Sequence, residues 1–265
     1  MTYITRAAHG RLRTLVDRFW LVQDAGGPRA AETICPDGRT EIVLHLGDPM
    51  LERRKTGTIR QPRHLLVGQM AVPVTVIPSG RVMMVGVRFA PGAMRRLLPI
   101  PQDRIAGQIL ELDAIWQVWT RETADRIASE RDAAAKLEAL ERAVAALVPD
   151  GSPEAEAEWL DGAARRLQSS GGIASIDRLA RDVGICRRQF ERRFREHVGL
   201  PPRLFGRIVR FQRAFQALGH ENGAAVAARC GFADQAHLVH EIKRFSGQTP
   251  TVLTGAGGLT AFFRE

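Results

Sequence analysis

The sequence predicts an α+β protein. Its N-terminal part is expected to form an antiparallel β sandwich or barrel with amphipathic helices, and its C-terminal part an all-α domain of two helix-turn-helix units joined by a long helix. Three observations predict this. Short apolar runs between turn signals fill roughly the first 90 residues, a helical apolar stripe follows, and one pattern occurs twice in the last third. A chain of 265 residues is long enough for two domains.

Five short apolar runs predict the strands, at residues 19–22, 41–46, 64–68, 74–77 and 82–89. The PDG and GDP sequences between them are turn signals. Because no helices separate these runs, we expect an antiparallel sandwich or small barrel rather than a doubly wound parallel sheet. No phosphate-binding glycine loop follows any run.

Residues 122–148 predict one amphipathic helix of about seven turns. Its apolar stripe consists of Ile127, Leu137, Leu140, Val144 and Leu147. The stripe must be buried, either on the sheet of its own domain or against the same helix of a second chain, and its spacing suits both.

The PDGSP sequence at 149–153 ends this helix, because proline cannot extend it, and predicts a domain boundary. We expect a sensor or dimerisation domain at 1–150, with a β part at about 1–92 and a helical part at about 93–148. The second domain is expected at 151–265, with a core at about 154–254.

One arrangement of residues occurs twice in this second domain. LARDVGICRRQFERRFREHVGLPP spans residues 179–202, and VAARCGFADQAHLVHEIKRFSGQTP spans residues 226–250. The counterparts 47 positions apart are Ala180 with Ala227 and Gly184 with Gly231. The counterparts 48 positions apart are Phe190 with Leu238, Phe194 with Ile242, Gly199 with Gly247, and Pro202 with Pro250. The second copy therefore has one extra residue just after its turn.

The spacing within each copy predicts a helix, a tight turn and a second helix. The small alanine permits a close helix crossing, and the glycine permits the positive φ that ends a helix. The apolar pair four residues apart in the second helix faces inward, so the positions between them face outward. Residues 201–219 start with prolines, end at glycine and predict a stiff connecting helix. Asp234 can cap its helix, whereas Cys186 is a poor cap in the first copy.

Basic residues concentrate in the first copy and just after it. The chain has a net charge of +9, and its 38 basic residues are 35 arginines and the three lysines Lys55, Lys136 and Lys243. Between positions 187 and 213, nine arginines stand against Glu191 and Glu196, an excess of +7. Such an excess can bind a polyanion through counterion release or form a solvated helix face, and an arginine bias can also reflect a GC-rich genome.

With these motifs, residues of about 154–254 resemble the DNA-binding domain of the AraC/XylS family of bacterial transcription regulators. GFADQAHLVHEIKRFSGQTP is similar to the family signature of glycine-phenylalanine, a short polar stretch, an aromatic helix and glycine-x-threonine-proline. The chain departs from the family at Leu238 and Ile242, where phenylalanines are usual. It also departs at His240 and Cys186, where an arginine and a serine are usual. PDGRTEIVLHLG is similar to cupin-like sensor domains of some members.

The resemblance implies a sequence-specific transcription regulator, either activator or repressor, that binds double-stranded operator or promoter DNA. It also implies control by a small-molecule effector, a homodimer as one assembly, and RNA polymerase as a partner if the protein is an activator. A rigid connecting helix would hold two recognition helices about 34 Å apart, so that both enter successive major grooves.

The outward positions of the two units are the candidate DNA contacts. In the first unit we expect Arg188, Glu191 and Arg192 at base edges, and Arg187 and Arg195 at phosphates. In the second unit we expect Gln235, Ala236, His237 and His240 at base edges, and Lys243 and Arg244 at phosphates. The arginines could instead pair with Glu191 or Glu196 on a solvated surface. Because the first surface is more basic, we expect it to contribute more to affinity.

Motifs of other functions are missing. Cys35, Cys186 and Cys230 are odd in number and far apart, which fits neither a disulfide framework nor a zinc site. The histidines His9, His45 and His64 lack the His-x-His pattern of metal-binding cupins. No Gly-x-Ser-x-Gly occurs, and Cys35 has no base partner nearby, so we expect it to be buried rather than redox-active. We expect no enzyme, cofactor or metal.

The N-terminus lacks the pattern of a signal peptide, and no apolar run of 18 residues occurs, so we expect a cytoplasmic protein without membrane contact. Two alternative functions stay open. One is a ligand-independent regulator that acts through protein contacts. The other is a cupin-like enzyme with an accessory helical domain, which a metal bound through His45 would favour.

Overall fold

The computed structural model describes residues 2–24, 30–151, 154–218 and 220–255. Its strands are β1 (Thr2–Arg6), β2 (Val16–Asp24), β3 (Glu32–Ile34), β4 (Glu41–His45), β5 (Leu51–Arg54), β6 (Gly57–Arg60), β7 (His64–Val67), β8 (Val74–Ile77), β9 (Val82–Phe89) and β10 (Ile109–Glu111). One sheet has the order β1-β2-β9-β4-β7-β10 and the other β3-β8-β5-β6, with antiparallel pairing throughout. The expected antiparallel fold is confirmed, and the described strands form no closed barrel.

The six-stranded sheet is buried on both faces, which explains the nearly continuous apolar runs of its central strands. Successive side chains of a strand point to opposite faces. In β2, Phe19 and Leu21 pack among residues of the helical layer, whereas Trp20 and Val22 pack between the two sheets. The N-terminal domain therefore has three layers, of helices, large sheet and small sheet.

Residues 122–148 form parts of two helices, so the expected single helix is wrong. The helices of this domain are α1 (Met94–Leu97), α2 (Asp113–Ser129) and α3 (Ala133–Leu147). Asp132 starts α3 by accepting a hydrogen bond from the backbone N–H of Ala135 at 2.8 Å. The buried ammonium of Lys136 donates to the carbonyl oxygens of Ile127 and Glu130 at the end of α2. These polar contacts stabilise the break between α2 and α3. The apolar residues keep a helical spacing across it, so their pattern predicts one helix.

The apolar stripe of these helices packs within its own domain. Ile127, Leu137, Leu140 and Val144 are buried beside β2 and β9, and Leu147 is partly buried next to them. Of the two arrangements considered for the stripe, the structure has the one on the domain's own sheet.

The C-terminal helices are α4 (Ala155–Ser169), α5 (Ile176–Asp182), α6 (Arg187–Val198), α7 (Pro202–Ala217), α8 (Gly223–Arg229), α9 (Gln235–Ser246) and α10 (Pro250–Gly255). Of the expected boundary sequence, Ser152 and Pro153 lie outside the described residues. None of the helices in the described part of the chain is long and apolar enough to cross a membrane.

The connecting helix α7 lies at the centre of the C-terminal core. Its Phe205 stacks edge-on against Phe194 of α6, with ring centroids 5.7 Å apart. Its Phe211 contacts Phe245 of α9 at 5.3 Å. One helix therefore packs against the second helix of each repeat copy.

Gly172→Ala is expected to destabilise the protein more than Gly184→Ala. The two glycines have φ of +81° and +70°, so a side chain at either costs about 1–2 kcal/mol of backbone strain. A Cβ at position 172 would also overlap the carbonyl oxygen of Gly206 in α7, whereas nothing lies within 4 Å of one at position 184. Urea unfolding should give a free energy of unfolding at least about 1 kcal/mol lower for the first variant than for the second. Equal losses would contradict the close packing of α7 on this turn.

Candidate functional site

The two repeat copies have the same geometry at their turns. In the first, the backbone N–H of Ile185 donates to the carbonyl oxygen of Ala180, and in the second Phe232 donates to Ala227 in the same way. The glycines with positive φ at these turns and after the second helices are Gly184, Gly199, Gly231 and Gly247. The expected helix-turn-helix units are thus α5 with α6 and α8 with α9.

The two second helices begin differently, as the sequence predicts. The carboxylate of Asp234 accepts a hydrogen bond from the N–H of His237 at 2.7 Å and caps α9. Cys186 has no side-chain oxygen for this role. At the start of α6 the amide oxygen of Gln189 accepts from the N–H of Cys186, at a long 3.4 Å. Sequence reasoning missed Gln189, although a glutamine three residues after the cap position is a recognised signal.

The predicted arginines of α6 lie on its outward face in different settings. Arg188 is exposed and makes no ion pair with another described residue. Arg187 pairs with Glu191 at 2.9 Å, and Arg192 pairs with Glu196 at 3.1 Å. Such exposed pairs contribute about 0–1 kcal/mol, so a phosphate or a base edge can replace them.

Arg195, the last predicted arginine of α6, contacts the N-terminal domain. Its guanidinium lies 3.0 Å from the carboxylate of Asp103, in the 3-10 helix Gln102–Arg104. Nearby, Gly92 leaves no space for a side chain beside His197 of α6. The C-terminal end of α6 is therefore docked on the N-terminal domain.

The predicted residues of α9 are all exposed, and they are Gln235, Ala236, His237, His240, Lys243 and Arg244. The ring of His237 packs edge-on against Phe232 at 5.4 Å. This face has fewer charged groups than α6, in agreement with the difference that the sequence predicts.

Two arginines of α7 that sequence reasoning did not single out hold the second unit and the loop before α5 against α7. Arg207 makes two hydrogen bonds, of 2.8 and 2.6 Å, with the buried carboxylate of Glu241 in α9. Burial raises the pKa of Glu241, but the hydrogen bonds and charge of Arg207 outweigh burial, and the pKa lies below its usual value. Arg210 donates to the carbonyl oxygens of Gly231 at 3.2 Å and Gly172 at 3.3 Å. Only the density of arginines in the sequence pointed to these positions.

Residues from both units meet at one groove of about 470 Å³. Arg187 at the start of α6 and His237 at the start of α9 line it, together with Arg203, Arg207 and Arg210 of α7. The groove thus runs from the start of α6 to the start of α9, and the arginines of α7 line it between them.

Comparisons with known proteins give a family for these units. Residues 179–255 match a family described as a helix-turn-helix domain, and residues 5–111 match one described as a domain of unknown function (DUF6597). The first match covers both repeat copies and α7. Residues 179–255 therefore form a helix-turn-helix domain of the kind found in the AraC family of DNA-binding transcription regulators. The resemblance in the sequence is thereby confirmed.

A solved structure shows a fold similar to that of this chain. An apo ToxT variant from Vibrio cholerae has 12% sequence identity and a TM-score of 0.50, with 96% of this chain and 100% of that chain covered. A second structure of ToxT from Vibrio cholerae has 8% identity and a TM-score of 0.49, with 96% and 98% covered. None of the curated proteins compared with the chain matches it.

The N-terminal domain contains a cavity of about 90 Å³ between its two sheets. Its apolar wall includes Trp20, Val43, Leu65, Val76 and Met84. One water needs about 10–15 Å³ of such space, so a ligand of a few heavy atoms fits. Sequence reasoning placed a sensor domain here but named none of these residues.

One end of the cavity carries charged groups of both signs. The guanidinium of Arg88 lies 2.5 Å from Glu41 and 3.3 Å from Asp37. Burial lowers the pKa of Arg88, but these two carboxylates outweigh burial and raise it, so the guanidinium is charged. Burial raises the pKa of Glu41 even though Arg88 opposes the shift. A ligand's polar group would find both donors and acceptors here.

His45 and Cys35 also line the cavity. Burial lowers the pKa of His45, so its imidazole is neutral near pH 7, and its Nδ1 lies 3.1 Å from the carbonyl oxygen of Arg63. Burial raises the pKa of Cys35 to about 12, so its thiol stays protonated. Among the described residues, no three His, Cys, Asp or Glu side chains are arranged to hold a metal ion.

Proposed function

We propose that this protein is an AraC-type transcription regulator that binds DNA by placing α6 and α9 in successive major grooves, with residues 151–265 as its DNA-binding domain. The observation that carries this proposal is the exposure of the outward faces of both helices beside one basic groove. Packing against α7 holds the helices at a fixed spacing. A fixed spacing is what two recognition helices need to enter grooves one duplex turn apart.

In this proposal α6 contributes more to the DNA affinity than α9 does. Arg188 and Arg192 read guanine edges, Glu191 reads a cytosine amine, and Arg187 and Arg195 bind phosphates. For Arg195, a phosphate replaces the carboxylate of Asp103. In α9 the base edges are read by Gln235, Ala236, His237 and His240, and the phosphates are bound by Lys243 and Arg244. The unpaired guanidinium of Arg188 supports a reading role, because it gives up no ion pair with a described residue on binding.

The double variant Arg188→Ala with Arg192→Ala is expected to lose more DNA affinity than Gln235→Ala with His237→Ala. Each bidentate arginine–guanine contact contributes about 1–3 kcal/mol, so we expect at least about a tenfold larger Kd for the first variant. The comparison is an electrophoretic mobility shift titration at one salt concentration, because phosphate contacts make the affinity salt-dependent.

A matched control is Arg121→Ala with Arg142→Ala, which removes the same charge from exposed positions of α2 and α3. This control should retain the wild-type Kd within about twofold, since long-range charge effects are screened by salt. Equal losses for the α6 and α9 variants would contradict the asymmetry between the two helices.

We also propose that a small molecule in the N-terminal cavity controls DNA binding. The cavity supports this, because it combines an apolar wall with a few charged groups at one end, as ligand sites do. A ligand that binds one conformer better than another shifts the population towards the first by the difference in affinity. A homodimer and contact with RNA polymerase stay expectations of the family.

Val43→Phe is expected to abolish ligand binding, because the added ring occupies the cavity. Calorimetric titration of the wild-type protein with a panel of small metabolites should find a compound that releases or absorbs heat, and the variant should show none with that compound. Val118→Phe, at an exposed position of α2, is the control and should bind like the wild type. If no compound in the panel binds the wild type, a ligand-independent regulator becomes the better account.

A further inference from the structure

Two short segments of the N-terminal domain lie between the cavity and the connecting helix α7. Residues 35–38 form one and residues 69–71 the other. Each has residues in the cavity wall, and each also contacts the C-terminal domain. The cavity and the helix that carries both DNA-reading units are therefore separated by a single layer of chain.

The first segment makes three contacts with the C-terminal domain. Cys35 lines the cavity and is also buried in the apolar cluster of the C-terminal helices. Pro36 lines the cavity too, and its carbonyl oxygen accepts a hydrogen bond from the side chain of Gln212 in α7. Gly38 has a φ of +76°, and a Cβ there would lie 2.9 Å from the ring of Phe205.

The second segment holds the first one in place. The buried side chain of Gln69 donates to the carbonyl oxygen of Gly38 at 2.9 Å, and it also contacts Gly199 at the end of α6. Met70 lines the cavity, and Ala71 packs against the C-terminal apolar cluster. Gln69 thus links residues 35–38 to the end of α6.

The charged end of the cavity acts on the same segment. Asp37 follows Pro36 and lies 3.3 Å from Arg88, which comes from the centre of the large sheet. An occupant that engages Arg88 competes with Asp37, and one that fills the apolar part presses on Cys35 and Pro36. Close-packed interfaces respond to such pressure by changing between discrete arrangements rather than by deforming smoothly.

We propose that residues 35–38, braced by Gln69, couple the cavity to the DNA-reading units through Gln212 and Phe205 of α7. This inference rests on the proposed function. An occupant of the cavity moves the segment, and the segment moves α7. Because α6 and α9 pack on α7, both then change position relative to the N-terminal domain, on which the end of α6 is docked. By linkage, DNA binding must change the segment in return.

A double-mutant cycle on DNA affinity tests this coupling. Val43→Phe serves as a built-in occupant of the cavity, and Gln212→Leu removes the hydrogen bond to Pro36. Gln216→Leu is the matched control, because Gln216 lies one turn further along α7, is exposed and has no hydrogen bond to another described residue. The DNA in this experiment is a duplex that the full-length wild-type protein selects from a pool of random sequences.

We expect Val43→Phe to change the Kd for this duplex at least about fivefold, the lower end of usual allosteric coupling. In the Gln212→Leu background the change should fall below about twofold, and in the Gln216→Leu background it should persist. A change of the same size in all three backgrounds would overturn the proposal, as would a folded Val43→Phe variant with unchanged Kd.

Hydrogen exchange on the wild-type protein tests the same coupling without any substitution. Adding the duplex should slow exchange in α6 and α9 and should also change the exchange rate of the backbone amides of residues 35–38 that carry an N–H. Protection of α6 and α9 with no change at 35–38 overturns the coupling and leaves the proposed DNA binding intact. No protection of α6 and α9 overturns both.

Discussion

The aromatic side chains of α7 make the contacts on which the C-terminal domain depends. Phe205 packs on Phe194 of the first unit, and Phe211 packs on Phe245 of the second. Neither helix-turn-helix unit has enough apolar surface to form a core alone, so each is completed by the same helix. Arg207 and Arg210 add polar contacts from α7 to the second unit, and Arg210 also donates to Gly172, in the loop before α5. The distance between the two outward helices is therefore a property of one rigid element.

The parts of the fold that local chemistry determines could be predicted from the sequence. The glycines of the two turns are needed for positive φ, and the apolar pairs of α6 and α9 mark their buried faces, so the repeat was visible in the residues. The long apolar runs of β4 and β9 are buried on both faces, and from these runs the sheet was predicted. The short strands β1, β3, β5, β6 and β10, all of which except β5 lie at the edge of a sheet, were not predicted, because polar or exposed residues interrupt their apolar pattern.

The parts that depend on distant contacts could not be predicted. The break between α2 and α3 is stabilised by Lys136, whose ammonium donates to carbonyl oxygens at the end of α2. The spacing of apolar residues is the same with or without this break, so it could not reveal the break. The pair of Arg207 with Glu241 joins residues far apart in the chain. The cavity and its contact with α7 depend on how two domains pack, which no short motif encodes. The outward residues of α6 and α9 were predicted because their exposure follows from helix geometry alone.

In the proposed function, the two unequal helix-turn-helix units read DNA together. Genome-wide footprinting of the purified full-length protein tests it most directly, because it reports sequence preference and half-site spacing at once. If both units read DNA, each site should have two short elements about one helical turn apart, roughly 10 base pairs, with stronger base preference under α6 than under α9. Footprints with no preferred sequence, or with a single element only, would contradict it.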